Sequence, residues 1–289
     1  MIVLVKCREE VFAVALENGE MMAGFRAHVS LGRTGLAVSR LCIGASYGAP
    51  AAALERAYHE GGVNFFYWGA IRRRSMRDAI RNLVRHQRDR IVVALQSYDH
   101  LGYLMETFLN RGLRALLIER ADILILGGYS RVPSERVIDE AVRLRDRGVV
   151  RYLALSGHNR ALFGALAQRD DLPIDVYMIR YNAAHRGAEK DVFPHLPREN
   201  RPGIMAFTAT RWGSLLKAKR MPPGERPLTS SECYRFVLTS PYVDVCQTGP
   251  RSEGEVDDAL ATLDGGPLTE AEMARVRRIG DYVYRIGKR

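Results

Sequence analysis

The chain has 289 residues, 47% of them hydrophobic, a formal net charge of +10 and four cysteines with no C-x-x-C pair. Such a composition supports a sizeable core and excludes a disordered chain or a disulfide scaffold; no apolar run approaches the roughly 18 residues that span a bilayer. The excess charge is almost all arginine, scattered among acids without interleaved aromatics, which reads as a solvated surface ahead of a nucleic-acid partner.

Short β-rich runs alternate with amphipathic stretches along the chain. Residues 41–44 predict the first strand and 51–60 the helix after it; 63–67 and 76–85 repeat the pair. Strands follow at 91–96, 122–126 and 150–156, with a helix at 133–147 between the last two. In that helix Val137, Ile138, Ala141, Val142 and Leu144 form the apolar stripe, Pro133 suits the first turn and Gly148 the stop. Strands at 176–181, 203–207 and 243–247 complete the set, with helices at 230–239, 253–263 and 268–286. Strands separated by helices pair in parallel through crossovers. Eight such units without a linker, and no G-x-G-x-x-G after the first strand, predict an α/β chain closed into a single (β/α)8 TIM barrel.

Several segments carry a family resemblance. They are Leu31-Gly32-Arg33-Thr34-Gly35-Leu36, Gly62-Val63-Asn64-Phe65-Phe66, the run from Arg147 to Ser156, Arg180-Tyr181-Asn182 and Thr248-Gly249-Pro250-Arg251-Ser252. In order and spacing the chain resembles the aldo-keto reductases over roughly residues 28–285. The resemblance implies an N-terminal β-hairpin cap (29–39) closing the barrel bottom, and makes residues 1–27 an extension ahead of the barrel domain, 28–289, with Met21 or Met22 as a candidate start. It also implies an NADP(H)-linked oxidoreductase acting on a small molecule in the cytoplasm, which suits the widely separated thiols.

The family reduces a carbonyl with a tyrosine acid, assisted by a lysine–aspartate pair and a histidine. Their places here hold other residues: Tyr67 for the aspartate, Gln96 for the lysine, Gly127 for the histidine, and Arg72 at the tyrosine's distance in a shortened loop. Glutamine cannot lower a phenol's pKa as a cation does. The cofactor half is partly kept. By resemblance, Ser156 meets the nicotinamide carboxamide, Phe207 stacks on its ring, Thr208 and Arg211 take the pyrophosphate, Arg251 and Ser252 the 2′-phosphate, and Asp258 faces adenine. Gly157 and Met178 replace the usual asparagine and glutamine.

The remaining candidates come from the strand ends. Tyr67, beside Arg72–Arg74, is a substitute acid if its pKa is depressed, or else an aromatic plug; His158 is the general-base candidate; Gln96 stands with them. Trp68, Arg72, Tyr98, Tyr129 and Tyr181 are expected to line a substrate site, the arginine run serving as an anion clamp. No metal constellation is expected. Three readings stay open: a divergent NADP(H) oxidoreductase, a nucleotide- or small-molecule-binding barrel that no longer reduces, and a non-redox enzyme on the same rim. Oligomeric state is not legible.

Overall fold

The computed structural model describes residues 24–44, 48–69, 74–169 and 171–287. Most of the predicted extension, together with Arg72 and Arg73, lies outside these residues. The described end of the extension packs on the barrel: Phe25 is buried beneath Arg40, and Arg26 pairs with Asp264.

A short antiparallel hairpin, β1 (Val29–Ser30) and β2 (Ala37–Val38), precedes the barrel and pairs Val29 with Val38. The eight barrel strands are β3 (Leu41–Gly44), β4 (Phe65–Trp68), β5 (Val92–Ser97), β6 (Ala121–Leu126), β7 (Val150–Gly157), β8 (Val176–Arg180), β9 (Gly203–Phe207) and β10 (Val245–Thr248). All neighbours are parallel, and β10 pairs with β3 to close the ring. The crossovers carry α1 (Ala51–His59), α2 (Arg74–Gln87), α3 (Met105–Leu116), α4 (Glu135–Asp146), α5 (Arg160–Leu166), α6 (Ala188–Asp191) and α7 (Ser230–Leu238). After β10 come α8 (Glu253–Gly265) and α9 (Glu270–Ile286). The predicted barrel and its hairpin cap are the observed fold.

Strand alternation divides the core into two layers. Cys42, Phe65, Tyr67, Val92, Ala94, Ile123, Ile125, Ala154, Val176, Met178, Met205 and Val245 fill the barrel, and Leu31, Leu36 and Val38 of the hairpin plug its base. Their neighbours in sequence, such as Phe66, Val93, Leu124 and Ile179, face the helices. Each apolar strand is therefore buried on both faces, as a parallel sheet requires.

Polar staples hold the base. On every second strand a side chain at the strand start accepts an amide of the preceding strand or its lead-in. Asn64 Oδ1 takes Ser39 N (2.8 Å), Asp122 Oδ2 takes Val93 N (2.9 Å), Asp175 Oδ2 takes Leu153 N (2.9 Å) and Asp244 Oδ2 takes Ile204 N (2.8 Å). Arg88 and Arg151 bond Asp122, and Arg201 grips Asp244 through both terminal nitrogens (2.9 and 2.6 Å).

Removing Asp244 would leave a largely buried guanidinium and a strand amide without acceptors. Asp244→Ala is expected to cost about 3 kcal/mol in urea unfolding, against less than about 1 kcal/mol for Asp264→Ala at the exposed Arg26 pair. Equal, small losses from both would show that the staples are not what fixes the base.

Candidate active site

At the C-terminal ends of the strands a cavity of about 670 Å3 opens, within the range of small-molecule sites. Its inner wall is built from inward-facing residues of six strands: Tyr67 (β4), Gln96 (β5), Ser156 (β7), Met178 (β8), Phe207 (β9) and Gln247 (β10). His158, two residues past Ser156, stands on the same face at the rim. From this centre the cavity continues between the loop 208–213 and the start of α8, where Arg251, Glu255 and Asp258 line it.

Tyr67 is 7% exposed and donates its hydroxyl hydrogen bond to Gln96 Oε1. Burial, with Tyr98 adding to it, raises the phenol's pKa well above its ordinary value, which favours the aromatic plug over the substitute acid. Among the described residues no cation is paired with the hydroxyl; its acceptor is a neutral amide. Gly127 is where it is because Gln96 fills the space: a Cβ there would collide with the Gln96 amide and meet the Tyr98 ring at 2.9 Å. Gly157 is dictated in the same way by the carbonyl of Tyr129, which lies where a Cβ would stand.

His158 sits with its ring centroid 5.3 Å from that of Phe207. Partial burial, then the nearby Arg180, lower its pKa, so the imidazole is neutral at pH 7. Beyond Phe207 the backbone turns sharply, with positive φ at Thr208 (59°), Arg211 (51°) and Trp212 (49°). A β-branched residue in that region is strained. The conformation is held by the fully buried Asn182, whose Nδ2 donates to Thr208 O (2.9 Å) while its Oδ1 takes the amides of Ala184 and His185. Strain of this kind concentrates at ligand-binding loops.

The structure brings together Tyr67, Gln96, Tyr98, Ser156, His158, Phe207, Thr208, Arg251 and Asp258 of the predicted residues. Others lie elsewhere. Trp68 faces outward and lines a separate, more apolar cavity of about 450 Å3 between β5 and α3. Tyr181, 2% exposed, packs in the helical layer against Phe193 and Phe236 and donates to Glu189, so it is not part of the mouth. Tyr129 is buried against His100 outside this cavity, and burial pushes its phenol up to about 12. Arg211 turns away from the cavity and donates to Val283 O (2.6 Å) at the end of α9. Ser252 caps α8, accepting from Glu255 N (3.2 Å). Two amides of the 208–213 loop, Arg211 N and Gly213 N, are engaged within the turn.

Three residues were missed. Gln247 lines the cavity with its Oε1 buried and without a hydrogen-bond partner; Glu255 lines the α8 end; Arg180 stands on the rim. Period-two alternation from Val245 and Met178 would have placed Gln247 and Arg180 inward.

His185, also on this rim, carries an imidazole pushed down to about 4 by burial and then by Arg180, Arg211, Arg160 and His158. An ordinary imidazole titrates near about 6.5. The fold favours the neutral ring, so its contribution is present above about 6.5 and is lost as pH falls from there towards about 4. His185→Gln is therefore expected to flatten the pH dependence of the urea midpoint across that window. An unchanged profile would contradict the assignment.

No protein-family model matches the sequence, and no curated protein matches it. Among solved structures, an aldo-keto reductase from Bacillus halodurans in its holo form superposes with a TM-score of 0.68 at 18% identity, covering 90% of this chain and 96% of that one. Its apo form gives a TM-score of 0.67 at 19% identity, covering 88% and 95%. The chain has the aldo-keto reductase fold, a (β/α)8 barrel with an N-terminal hairpin across its base.

Proposed function

We propose that the chain is a divergent aldo-keto reductase-like oxidoreductase, linked to NADP(H) and acting on a small molecule at a non-standard site. The observation that carries this reading is the continuity of the mouth cavity, from Tyr67, Gln96 and His158 at the barrel centre to Arg251 beside α8. A nicotinamide nucleotide fits its wall. Phe207 offers a ring face, Ser156 a hydroxyl and Gln247 Oε1 an acceptor without a donor among the described residues. Arg251 lines the cavity where a 2′-phosphate would lie, while Glu255 and Asp258 beside it suit a ribose hydroxyl, the pattern associated with NAD(H). A bound nicotinamide would supply or accept a hydride.

The protein's own share is proton handling and the shape of the pocket. A phenol whose pKa lies far above neutrality is a poor acid, and the single hydroxyl hydrogen of Tyr67 is donated to Gln96 Oε1, so the pair shapes and orients the pocket and does not protonate the substrate. His158, neutral at pH 7, is matched to accept a proton from a substrate hydroxyl. Dehydrogenation of an alcohol is thus the direction this site favours at neutral pH. A second reading, a barrel that binds nucleotide without turnover, draws on the same Tyr67–Gln96 pair, beside which no cation among the described residues is placed to stabilise developing charge.

Two measurements test the proposal. In calorimetry, Arg251→Ala is expected to weaken NADPH more than NADH, and Glu255→Gln to do the opposite; equal effects would remove the 2′-phosphate assignment. With NADP+ and a panel of short hydroxy compounds, His158→Gln is expected to lower kcat by about 100-fold or more, and Tyr67→Phe by less. Turnover in the wild type should hold through neutral pH and fall only below the ordinary imidazole range, because a lowered pKa keeps His158 unprotonated there. Undiminished turnover in His158→Gln would eliminate it as the base.

A further inference from the structure

The rim between β7, β8 and β9 concentrates positive charge that the described residues do not neutralise. Arg180 follows Met178 by two residues and so faces the barrel axis, in register with Phe207 of β9. His158, just past β7, brings its ring centroid to 5.3 Å from that of Phe207. Around Arg180 the other arginines are engaged: Arg160 bonds Asp191 (3.1 Å), Arg186 bonds Asp281 (2.7 Å) and Arg211 holds the carbonyl of Val283. Arg180 differs. Among the described residues no carboxylate lies within 4 Å of its guanidinium, and its Nε is buried without a hydrogen-bond partner.

We infer that Arg180 is the anchor of an anion subsite on the β7–β9 rim, holding the carboxylate or phosphate of the substrate beside His158. A half-buried guanidinium with an unfilled donor fork suits a planar or tetrahedral oxyanion, which it meets through two parallel hydrogen bonds. The electrostatics agree. Burial first, then Arg160 and Arg211, lower the pKa of Arg180; burial first, then Arg180, lowers those of His185 and His158. An anion there relieves that repulsion. The C-terminal carbonyls of α9 satisfy Arg211 but leave Arg180 unanswered. The inference rests on the mouth cavity being the substrate site, and it narrows the substrate to a short hydroxy acid or hydroxyalkyl phosphate, or the matching oxo compound.

The test uses inorganic phosphate and malonate as separate calorimetric probes of the full chain, with and without NADPH. Millimolar binding of either anion is expected, and which one binds identifies the oxyanion. Arg180→Gln should weaken it by about tenfold or more; Arg180→Lys, which keeps the charge and loses the fork, should fall between. Each anion is also read with the nucleotide site filled by saturating NADPH, which should leave the Arg180-dependent binding in place, and Arg114→Gln, far from the rim, should leave it unchanged. Melting temperatures check that each variant is folded. Binding unaffected by Arg180→Gln, abolished by Arg114→Gln or lost under saturating NADPH would overturn the subsite, as would no binding of either anion. Because the anions are titrated on the nucleotide-free chain as well, a failure of NADPH to bind is read independently of the subsite.

Discussion

Four backbone amides at the base of the barrel, three of them in strands and the fourth Ser39 N just ahead of β3, are held by Asn64, Asp122, Asp175 and Asp244, one side chain at the start of every second strand. This repeat fixes the register of four strand pairs. In a sheet with a period of two, a one-residue slip would turn every inward side chain outward. Met178 lines the mouth and Ile179 does not because Asp175 locks the start of β8 to Leu153. Gln247 meets the cavity and Cys246 packs outward by the same logic from Asp244. The charged staples are costly to bury, and arginines offset that cost at two of them, Asp122 and Asp244.

The mouth inherits this order and adds its own constraint, a restricted volume. Gln96 occupies the space over Gly127, Tyr129's carbonyl occupies the space over Gly157, and Asn182 holds the start of the 208–213 loop in a strained turn. What remains is a cavity whose ionisable groups are displaced in opposite directions. Desolvation lifts the Tyr67 phenol and lowers the imidazoles of His158 and His185. The groups are pushed apart, a protonated phenol on one wall and a neutral imidazole on the other.

The barrel was legible because its signals are local: β-rich apolar runs, helical stripes, and stop signals such as Gly148. All eight predicted strands are present, with ends differing by a residue or two. The site was legible where a residue sits at an inward strand end, as Ser156 and Phe207 do. It failed by one residue at Trp68 and Tyr181, whose neighbours Tyr67 and Arg180 take the inward positions. It failed for Arg211 and Ser252 because their partners, Val283 O and Glu255 N, come from helix ends whose docking no local pattern records. Of the two readings open for Tyr67, burial, which dominates its pKa, favours the aromatic plug over the substitute acid.

The account stands or falls on a reduced nicotinamide lying in the mouth cavity. Trp212 lines that cavity and is 56% exposed, whereas the other tryptophan, Trp68, is buried on the opposite side of its strand. A Trp68→Phe variant leaves Trp212 as the sole indole donor. Titration with NADPH should then quench indole emission saturably and raise sensitised nicotinamide emission in step. Absence of transfer at NADPH concentrations up to the millimolar range would mean that the cavity does not hold the nucleotide.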